Sequence, residues 1–200
     1  MKIKSLAVIA VATSLTVAAC GGDDDSSSPT EPATVDSAGG DVAAATFNDA
    51  DVEFAQGMIP HHEQAVEMAD IALDPTVGAG VEVTDLATRI QGAQDPEIEL
   101  MTEWLTGWGQ PVQMDMSGGH NMEDMDGMMS AEEMDMLGAA TGAEFDRMWM
   151  EMMIAHHEGA ISMAEAVQAE GTNPDVIALA ATIITAQQAE IDEMRTLLGS

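Results

Sequence analysis

Cysteine and basic residues are scarce in this 200-residue sequence, and each shortage excludes a class of protein. The only cysteine, Cys20, rules out an intramolecular disulfide and a metal site built from thiolates. Against 36 Asp and Glu residues there are 5 Lys and Arg residues, giving a net charge of -31. Nucleic acids and anionic membrane surfaces would repel such a chain, so no nucleic-acid partner is expected. The sequence also lacks a recognisable catalytic nucleophile, catalytic acid or cofactor loop, which makes an enzyme the less favoured class.

The amino terminus has the pattern of a lipoprotein signal. Two lysines precede an apolar run over residues 6–19, which is too short to span a bilayer and ends at Cys20. The pattern predicts a signal peptide over residues 1–19 and lipid attachment to the Cys20 thiol. The protein is then membrane-anchored on the extracytoplasmic side, at the cell surface or facing the periplasm. An ordinary secretion signal with an incidental cysteine is the alternative.

Residues 20–46 are rich in Asp, Ser and Pro and lack hydrophobic periodicity, so they are predicted to be a disordered tether. Four amphipathic helical patterns follow and predict an all-α domain over residues 47–199. Asn48 is the expected cap of the first helix, Thr141 of the third, in a capping box with Glu144, and Asn173 of the fourth. The four predicted helices span residues 48–72, 82–106, 142–169 and 174–198.

An internal repeat relates the two halves of this domain. The first helix recurs in the third at an offset of 95, and the second recurs in the fourth at an offset of 93. Two similar helical hairpins, each with one apolar stripe, bury those stripes against each other in a four-helix bundle; a homodimer formed through the same stripes is the alternative. The recurring residues of the first helix are Asp51, Phe54, Met58, Ile59, His61, His62, Glu63, Ala65, Val66, Met68 and Ala69. Those of the second helix are Ala87, Ile90, Gln94, Glu97, Ile98, Met101 and Leu105.

Two histidines and two methionines of each repeat fall on the apolar face of their helix. With Met58 at zero on a helical wheel of about 100° per residue, His62 lies near ~40° and His61 near ~300°, whereas Glu63 lies near ~140°, on the opposite face. The second copy repeats this arrangement. The candidate metal ligands are therefore Met58, His61, His62, Met68, Met153, His156, His157 and Met163.

A histidine on an apolar face is usually a core residue with a satisfied hydrogen bond, and a methionine there usually fills volume. Four buried imidazoles, however, need partners for their ring nitrogens, at a cost of roughly 1–3 kcal/mol for each one left unpaired. A metal ion satisfies several at once. Gln94 and Gln187, on the apolar stripes of the partner helices, are predicted to orient the imidazoles or else to bond each other or water.

The methionines bear on which metal would bind. Ferritin-like di-iron bundles carry Glu-x-x-His, but Met58 and Met153 occupy the position three residues before a histidine here. Soft thioethers favour copper, particularly Cu(I), over iron and manganese. Zinc, bound through the histidines alone, is less favoured.

A methionine-rich crossover over residues 108–140 joins the two hairpins. From Met114 to Met136, eight of 23 residues are methionine, and acidic residues interrupt the run, which argues against a buried segment. Thioethers two or three residues apart can converge on one soft ion; a disordered acidic linker of biased composition is the alternative. The possible accessory ligands are Met114, Met116, His120, Met122, Met125 and Met128.

Over about residues 47 to 198, the paired Met-x-x-His-His segments resemble those of domain-of-unknown-function family 305. The resemblance implies a ferritin-like four-helix bundle in an extracytoplasmic setting, with copper bound by Met and His. The second copy differs from the first at Ala155, which occupies the position equivalent to Pro60. The positions onto which the implied ligands carry over are Met58, His61, His62, Met153, His156 and His157.

Three functions are compatible with these features. Copper sequestration, resistance or handover at the outer face of a membrane, with copper ions and a copper-transfer protein as partners, is the leading hypothesis. A ferritin-like metal oxidase is the second. A metal-free interaction module whose histidines sense pH is the third.

Overall fold

The computed structural model describes residues 46–113 and 125–199, and within them all regular secondary structure is α-helix, as predicted. The helices are α1 (Asp49–Leu73), α2 (Val81–Gly107), α3 (Ala131–Ala139), α4 (Gly142–Glu170) and α5 (Pro174–Leu198). The four long helices agree with prediction to within one residue at each end. Among the described helices, none has the length and apolar character needed to cross a membrane.

Several predicted features lie outside the described residues. They are the signal peptide over residues 1–19, the lipidated Cys20, all but the last residue of the tether, and the accessory ligands Met114, Met116, His120 and Met122. Each stays a prediction.

Two of the three predicted helix caps are confirmed. Asn48 accepts a hydrogen bond from the Asp51 amide at 3.1 Å, and the Asp51 carboxylate accepts one from the Asn48 amide at 2.9 Å, which completes a capping box. Asn173 accepts from the first amides of α5. The capping box predicted for Thr141 is wrong, because its side chain makes no cap hydrogen bond. The entry to α4 is instead held by the Gly142 amide, which donates to the Val77 carbonyl at 2.9 Å.

The four long helices form two hairpins, α1 with α2 and α4 with α5, which pack together through α1 and α4. Two apolar clusters lie along this contact. The Trp149 cluster comprises Ala65, Met68, Ala69, Ala72, Val77, Val83, Leu86, Ala87, Ile90, Met129, Leu137, Ala140, Phe145, Trp149, Met150, Met153 and Met194. The Phe54 cluster comprises Phe54, Ala55, Met58, Ile59, Met101, Leu105, Ala160, Ala164, Val167, Val176, Leu179, Ala180 and Ile183.

The distribution of these clusters fixes the relative direction of α1 and α4. Along α1 the Phe54 cluster comes first and the Trp149 cluster second, whereas along α4 the order is reversed. The two helices are therefore antiparallel, and the Trp149 indole ties them together by donating to the Met68 carbonyl at 2.9 Å. Both histidine pairs fall between the clusters in sequence, so they lie at the middle of the contact.

Helix α3 lies inside the predicted methionine-rich crossover, and its burial corrects the expectation that acidic residues keep this segment out of the core. Ser130 and Glu133 form a capping box at its start, and Leu137 is fully buried in the Trp149 cluster. Met129 is also buried there, and Met134 packs against the cluster. The acidic residues of the run did not prevent burial, because a helix directs them to solvent while its apolar face meets the core.

Candidate metal centre

All four histidines of the repeat are fully buried, and the structure brings the two pairs together. The ring centroids of His61 on α1 and His156 on α4 are 3.8 Å apart. Those of His156 and His157 are 6.4 Å apart. Glu63, beside the first pair, is exposed, as the helical wheel predicts.

Two glutamates that the sequence interpretation left without a role hold the outer imidazoles. His62 Nε2 lies 2.8 Å from Glu97 Oε2 on α2, and His157 Nε2 lies 2.8 Å from Glu190 Oε2 on α5. The two contacts are equivalent under the repeat. The signal was present in the sequence, because Glu97 and Glu190 recur at the offset of 93.

Gln94 and Gln187 were predicted to orient the imidazoles. In the structure, Glu97 and Glu190, one turn further along each helix, make those contacts instead. Both glutamines are buried, with 3% of their surface exposed, and the side-chain oxygen of each has no hydrogen-bond partner within the described residues. Both glutamines thus lie on the buried face of their helix, as predicted. The carboxylates, one turn on, are the groups within reach of the imidazoles.

His61 is held by the backbone that precedes α3. Its Nε2 lies 3.2 Å from the Asp126 carbonyl oxygen. We refer to residues 125–130 as the strap. Gln64 fastens the strap to α1, because its side chain both donates to the Met129 carbonyl at 2.8 Å and accepts from the Met129 amide at 2.7 Å.

The strap also lies directly on α4. A Cβ atom at Gly159 would stand 1.9 Å from the Asp126 carbonyl oxygen and 2.9 Å from the Gly127 Cα. Gly127 has a φ of 82°, a left-handed conformation that suits glycine. The approach therefore requires glycine at both positions. Under the repeat, Gly159 corresponds to Gln64, so one residue of the pair hydrogen-bonds the strap and the other makes room for it.

These contacts determine which ring nitrogen carries a proton in three of the four histidines. A carbonyl oxygen or an ionised carboxylate only accepts, so Nε2 of His61, His62 and His157 is the donor, and in a neutral ring Nδ1 then keeps its lone pair. The Nδ1 atoms of these three residues are buried and have no partner within the described residues. For His156, neither ring nitrogen makes a hydrogen bond of good geometry, although the His61 backbone lies close enough to raise its pKa slightly against the larger effect of burial. The centre thus contains five buried imidazole nitrogens without a protein partner in the described part of the chain.

The electrostatics favour neutral rings. Burial, with repulsion from His62 as the second cause, lowers the pKa of His61 from 6.5 to about 3. Burial and the neighbouring His61 likewise hold the pKa of His156 well below 6.5. At neutral pH both rings are uncharged, which is the form that binds a metal.

The structure separates the four predicted methionine ligands into two groups. Met58 and Met153 are fully buried and lie one turn before their histidine pairs, which makes them neighbours of those rings on the helix surface. Met68 and Met163 lie two turns beyond. Met68 is fully buried in the Trp149 cluster, whereas Met163 is only partly buried, in a shallow groove lined by Glu53 and Glu170.

Of the accessory ligands, the structure describes Met125 and Met128, both partly buried in the strap. Among the described residues, no three His, Cys, Asp or Glu side chains are arranged so that together they could hold a metal ion. The donor set that the structure offers is therefore one of paired imidazoles with adjacent thioethers.

The fold and the site define a class of protein: an all-α chain of two helical hairpins with a duplicated histidine centre between them. Sequence comparison identifies the family. Residues 51–198 match the family described as Domain of unknown function (DUF305), and the chain belongs to it. No curated protein matches the chain.

Solved structures of related proteins agree with this assignment. A DUF305 protein of Streptomyces coelicolor, named as a secreted protein, is 31% identical, with a TM-score of 0.68 over 75% of this chain and 92% of its own. A DUF305 fragment from Deinococcus radiodurans is 32% identical, with a TM-score of 0.67 over 76% of this chain and 97% of its own. CopM in its Cu(II)-bound form is 34% identical, with a TM-score of 0.61 over 74% of this chain and 94% of its own. CopM is also solved in Cu(I)-bound and Ag-bound forms.

Proposed function

We propose that this protein binds copper as Cu(I) between α1 and α4 and serves in copper sequestration or handover on the extracytoplasmic side of a membrane. The observation that carries the proposal is the set of buried imidazole nitrogens with no partner in the described part of the chain. His61 and His156, whose rings are in contact, are the proposed pair of imidazole ligands, and His62 and His157 lie beside them as the other candidate imidazoles. Met58 and Met153 are the adjacent thioethers.

The energetics favour a ligand at these nitrogens. Each buried polar atom left unpaired costs roughly 1–3 kcal/mol, and five of them lie within one centre. Coordination by a cation satisfies several at once. It also explains why Nε2 rather than Nδ1 is engaged by oxygen atoms, because metal-bound histidines typically donate their second N–H to a carboxylate or a backbone carbonyl.

The donor chemistry supports copper. Neutral imidazoles combined with thioethers form a soft ligand set, which prefers Cu(I) to zinc, iron or manganese. CopM, a similar protein at 32% identity, is solved with Cu(I) bound. The acidic chain, with a net charge of -31, raises the local concentration of cations around the entry to such a centre.

The cellular setting follows from the amino terminus. The proposed signal over residues 1–19 and lipid attachment at Cys20 would keep the domain outside the cytoplasm and tethered to a membrane. The secreted character given to the Streptomyces coelicolor relative supports an extracytoplasmic location. Copper ions are the proposed cargo, and a copper-transfer protein is the proposed recipient.

An anaerobic Cu(I) titration against a competing chelator tests the proposal. We expect His61→Leu combined with His156→Leu to weaken the tightest Cu(I) binding by at least tenfold. Glu63→Gln is the control, because Glu63 adjoins His62 in sequence but is exposed and lies on the opposite face of α1. Unchanged affinity in a double variant whose helical content is intact would overturn the proposed centre.

A further inference from the structure

A groove lies between α1 and α4, near the start of α1 and the end of α4. It is the shallow groove beside Met163, and its volume is about 170 Å³. Two buried residues, Phe54 and Val167, form its floor, and the carboxylate-bearing Glu53 and Glu170, both exposed, line it as well. This feature, which we call the Glu53 groove, therefore combines an apolar floor with two negative charges on its solvent side.

The internal repeat explains why space is left at this end of the contact between α1 and α4. At the offset of 95, Ala50 and Phe54 of the groove correspond to the larger Phe145 and Trp149. Both larger residues are fully buried in the Trp149 cluster, together with Leu137 of α3. The chain thus fills the equivalent end of the contact with its own side chains, whereas the smaller residues of the first copy leave the groove open.

The two carboxylates of the groove are also specific to this end. Glu53 corresponds to Met148 and Glu170 to Pro75, so the repeated hairpins pack without charges at these positions. The described residues contain three arginines and no lysine. Each arginine is paired with a glutamate elsewhere, in the pairs Arg89–Glu193, Arg147–Glu151 and Arg195–Glu158. The described part of the chain therefore supplies no arginine or lysine to the groove.

We infer that the Glu53 groove receives an arginine side chain from a basic partner protein. The methylene stem of arginine covers apolar surface while its guanidinium group donates to carboxylates, which matches the floor and the two glutamates. The net charge of -31 also attracts basic proteins over a longer range. Arginine is among the residues that most often anchor protein interfaces by filling such pockets.

The size and the donor atoms of the groove argue against two other ligands. A volume of about 170 Å³ suits one long side chain, whereas pockets for drug-sized molecules span roughly 300–1,000 Å³. A metal ion would find two carboxylates and one thioether above an apolar floor. Within residues 46–113 and 125–199, no three His, Cys, Asp or Glu side chains could together hold a metal ion.

The position of the groove has a consequence that rests on the proposed function. Phe54 precedes His61 by seven residues on α1, which corresponds to about 10 Å along the helix axis. A partner anchored by an arginine in the groove would therefore contact this protein beside the proposed copper centre. That placement suits a protein that receives the ion.

Amide NMR spectra of the metal-free protein in EDTA, titrated with the peptide acetyl-Gly-Arg-Gly-amide at physiological ionic strength, test the inference. We expect the shifted amide signals to be concentrated at residues 50–54 and 163–170. Glu53→Gln combined with Glu170→Gln should weaken peptide binding roughly fivefold. Shifts spread evenly over the protein, or unchanged binding by this double variant, would overturn the inference.

Glu63→Gln combined with Glu67→Gln is the matched control. It makes the same change of charge at two exposed positions of α1 that do not line the groove, so peptide binding should stay at the parental level. Equal weakening by the two double variants would show that overall charge attracts the peptide. The same peptide with citrulline in place of arginine keeps the shape without the charge and should not bind; equal binding would contradict recognition of the guanidinium group.

Ala50→Phe separates the groove from its charges. It introduces the residue that the second copy carries at the equivalent position, and it leaves both carboxylates in place. We expect it to remove the localised shifts, and their persistence in a variant of intact helical content would contradict the groove. Both groove variants should keep the parental affinity for Cu(I), so failure of the groove leaves the histidine centre standing and the reverse also holds.

Discussion

The imidazole rings of His61 and His156 lie against each other where α1 packs on α4, with centroids 3.8 Å apart and ring planes tilted by 45°. Both rings are fully buried, and His61 repels a proton on His156. A pair of this kind is stable only while at least one ring is neutral. Its two histidines come from equivalent positions of the repeat, so the internal symmetry of the chain places like groups in contact.

We expect the metal-free protein to lose stability as the pH falls below 6.5. The pKa of His61 is about 3 in the folded chain against 6.5 when exposed, and that of His156 is also lowered. Between these values the unfolded chain binds protons that the folded chain does not, so the free energy of unfolding decreases as the pH falls from 6.5 toward 3. Above 6.5 these two groups contribute no pH dependence.

Urea denaturation on both sides of pH 6.5 measures this effect. Acidic residues also titrate in part of the range, so the relevant quantity is the difference from the variant with His61→Leu and His156→Leu. That variant should show a shallower dependence. The same slope in both proteins would show that the buried pair is not responsible.

Glu97 and Glu190 should tune the affinity of the centre for Cu(I) without contacting the ion. Each carboxylate accepts from an imidazole Nε2 at 2.8 Å, and replacing either by Gln removes the negative charge while keeping an acceptor oxygen. Loss of such a partner typically weakens metal binding about 10- to 100-fold. Because the two contacts are equivalent under the repeat, Glu97→Gln and Glu190→Gln should have effects of similar size.

The chelator competition assay used for the histidine variants measures both affinities. Glu63→Gln is the control, because Glu63 adjoins His62 in sequence and is exposed. An effect of Glu63→Gln as large as that of Glu97→Gln would mean that overall charge, rather than the hydrogen bond to the ring, sets the affinity.

The main features of the fold were accessible from sequence because they depend on periodicity. Burial of the histidine pairs followed from the helical wheel, and the repeat implied that two equivalent hairpins meet. Helix ends were predicted well where Asn or Pro marks them, as at Asn48 and Asn173. The capping box predicted at Thr141 does not form. The first residue of α4, Gly142, is held instead by a backbone hydrogen bond to Val77, which the local sequence does not encode.

The polar partners of the histidines were harder to predict than the histidines themselves. Gln94 and Glu97 lie one turn apart on α2, and the choice between them depends on the axial offset of α2 against α1, which is a tertiary property. The contact of His61 with Asp126 joins residues 65 apart in sequence through a backbone carbonyl. No pattern of side chains in the sequence predicts that a backbone carbonyl will accept this hydrogen bond. Helix α3 was not predicted, because its methionines and acidic residues resemble the rest of the crossover in composition.

Asp51 should contribute more to stability than its counterpart in the repeat, Asp146. The Asp51 carboxylate is fully buried and accepts from the amides of Asn48, Thr172 and Asn173, which fastens the start of α1 to the loop between α4 and α5. Asp51→Asn places amide hydrogens where acceptors are needed, and a buried donor left unpaired costs about 1–3 kcal/mol.

Asp146 is the internal control for this prediction. Its carboxylate is only partly buried and accepts from the Gly80 amide at 2.9 Å. Asp146→Asn should therefore destabilise the protein less than Asp51→Asn, as measured by the midpoint of thermal unfolding followed by circular dichroism. Equal shifts in the two variants would show that burial and the extra hydrogen bonds of Asp51 do not add stability.

Gly159→Ala should displace the strap and open the histidine centre. The new Cβ would meet the Asp126 carbonyl and the Gly127 backbone, neither of which can rotate away as a flexible side chain can. The strap must shift, and His61 then loses its acceptor at Nε2. We expect faster hydrogen exchange at the amides of residues 125–130 and faster release of Cu(I) to a chelator.

The matched control is Gly92→Ala on α2, where an added Cβ would meet nothing within 4 Å. Alanine favours a helix over glycine by about 1 kcal/mol, so Gly92→Ala should stabilise the protein and leave copper release unchanged. The same gain in helix propensity is present in Gly159→Ala, so any difference between the two variants isolates the contact with the strap. If both variants release Cu(I) at the parental rate, the strap does not limit access to the histidines.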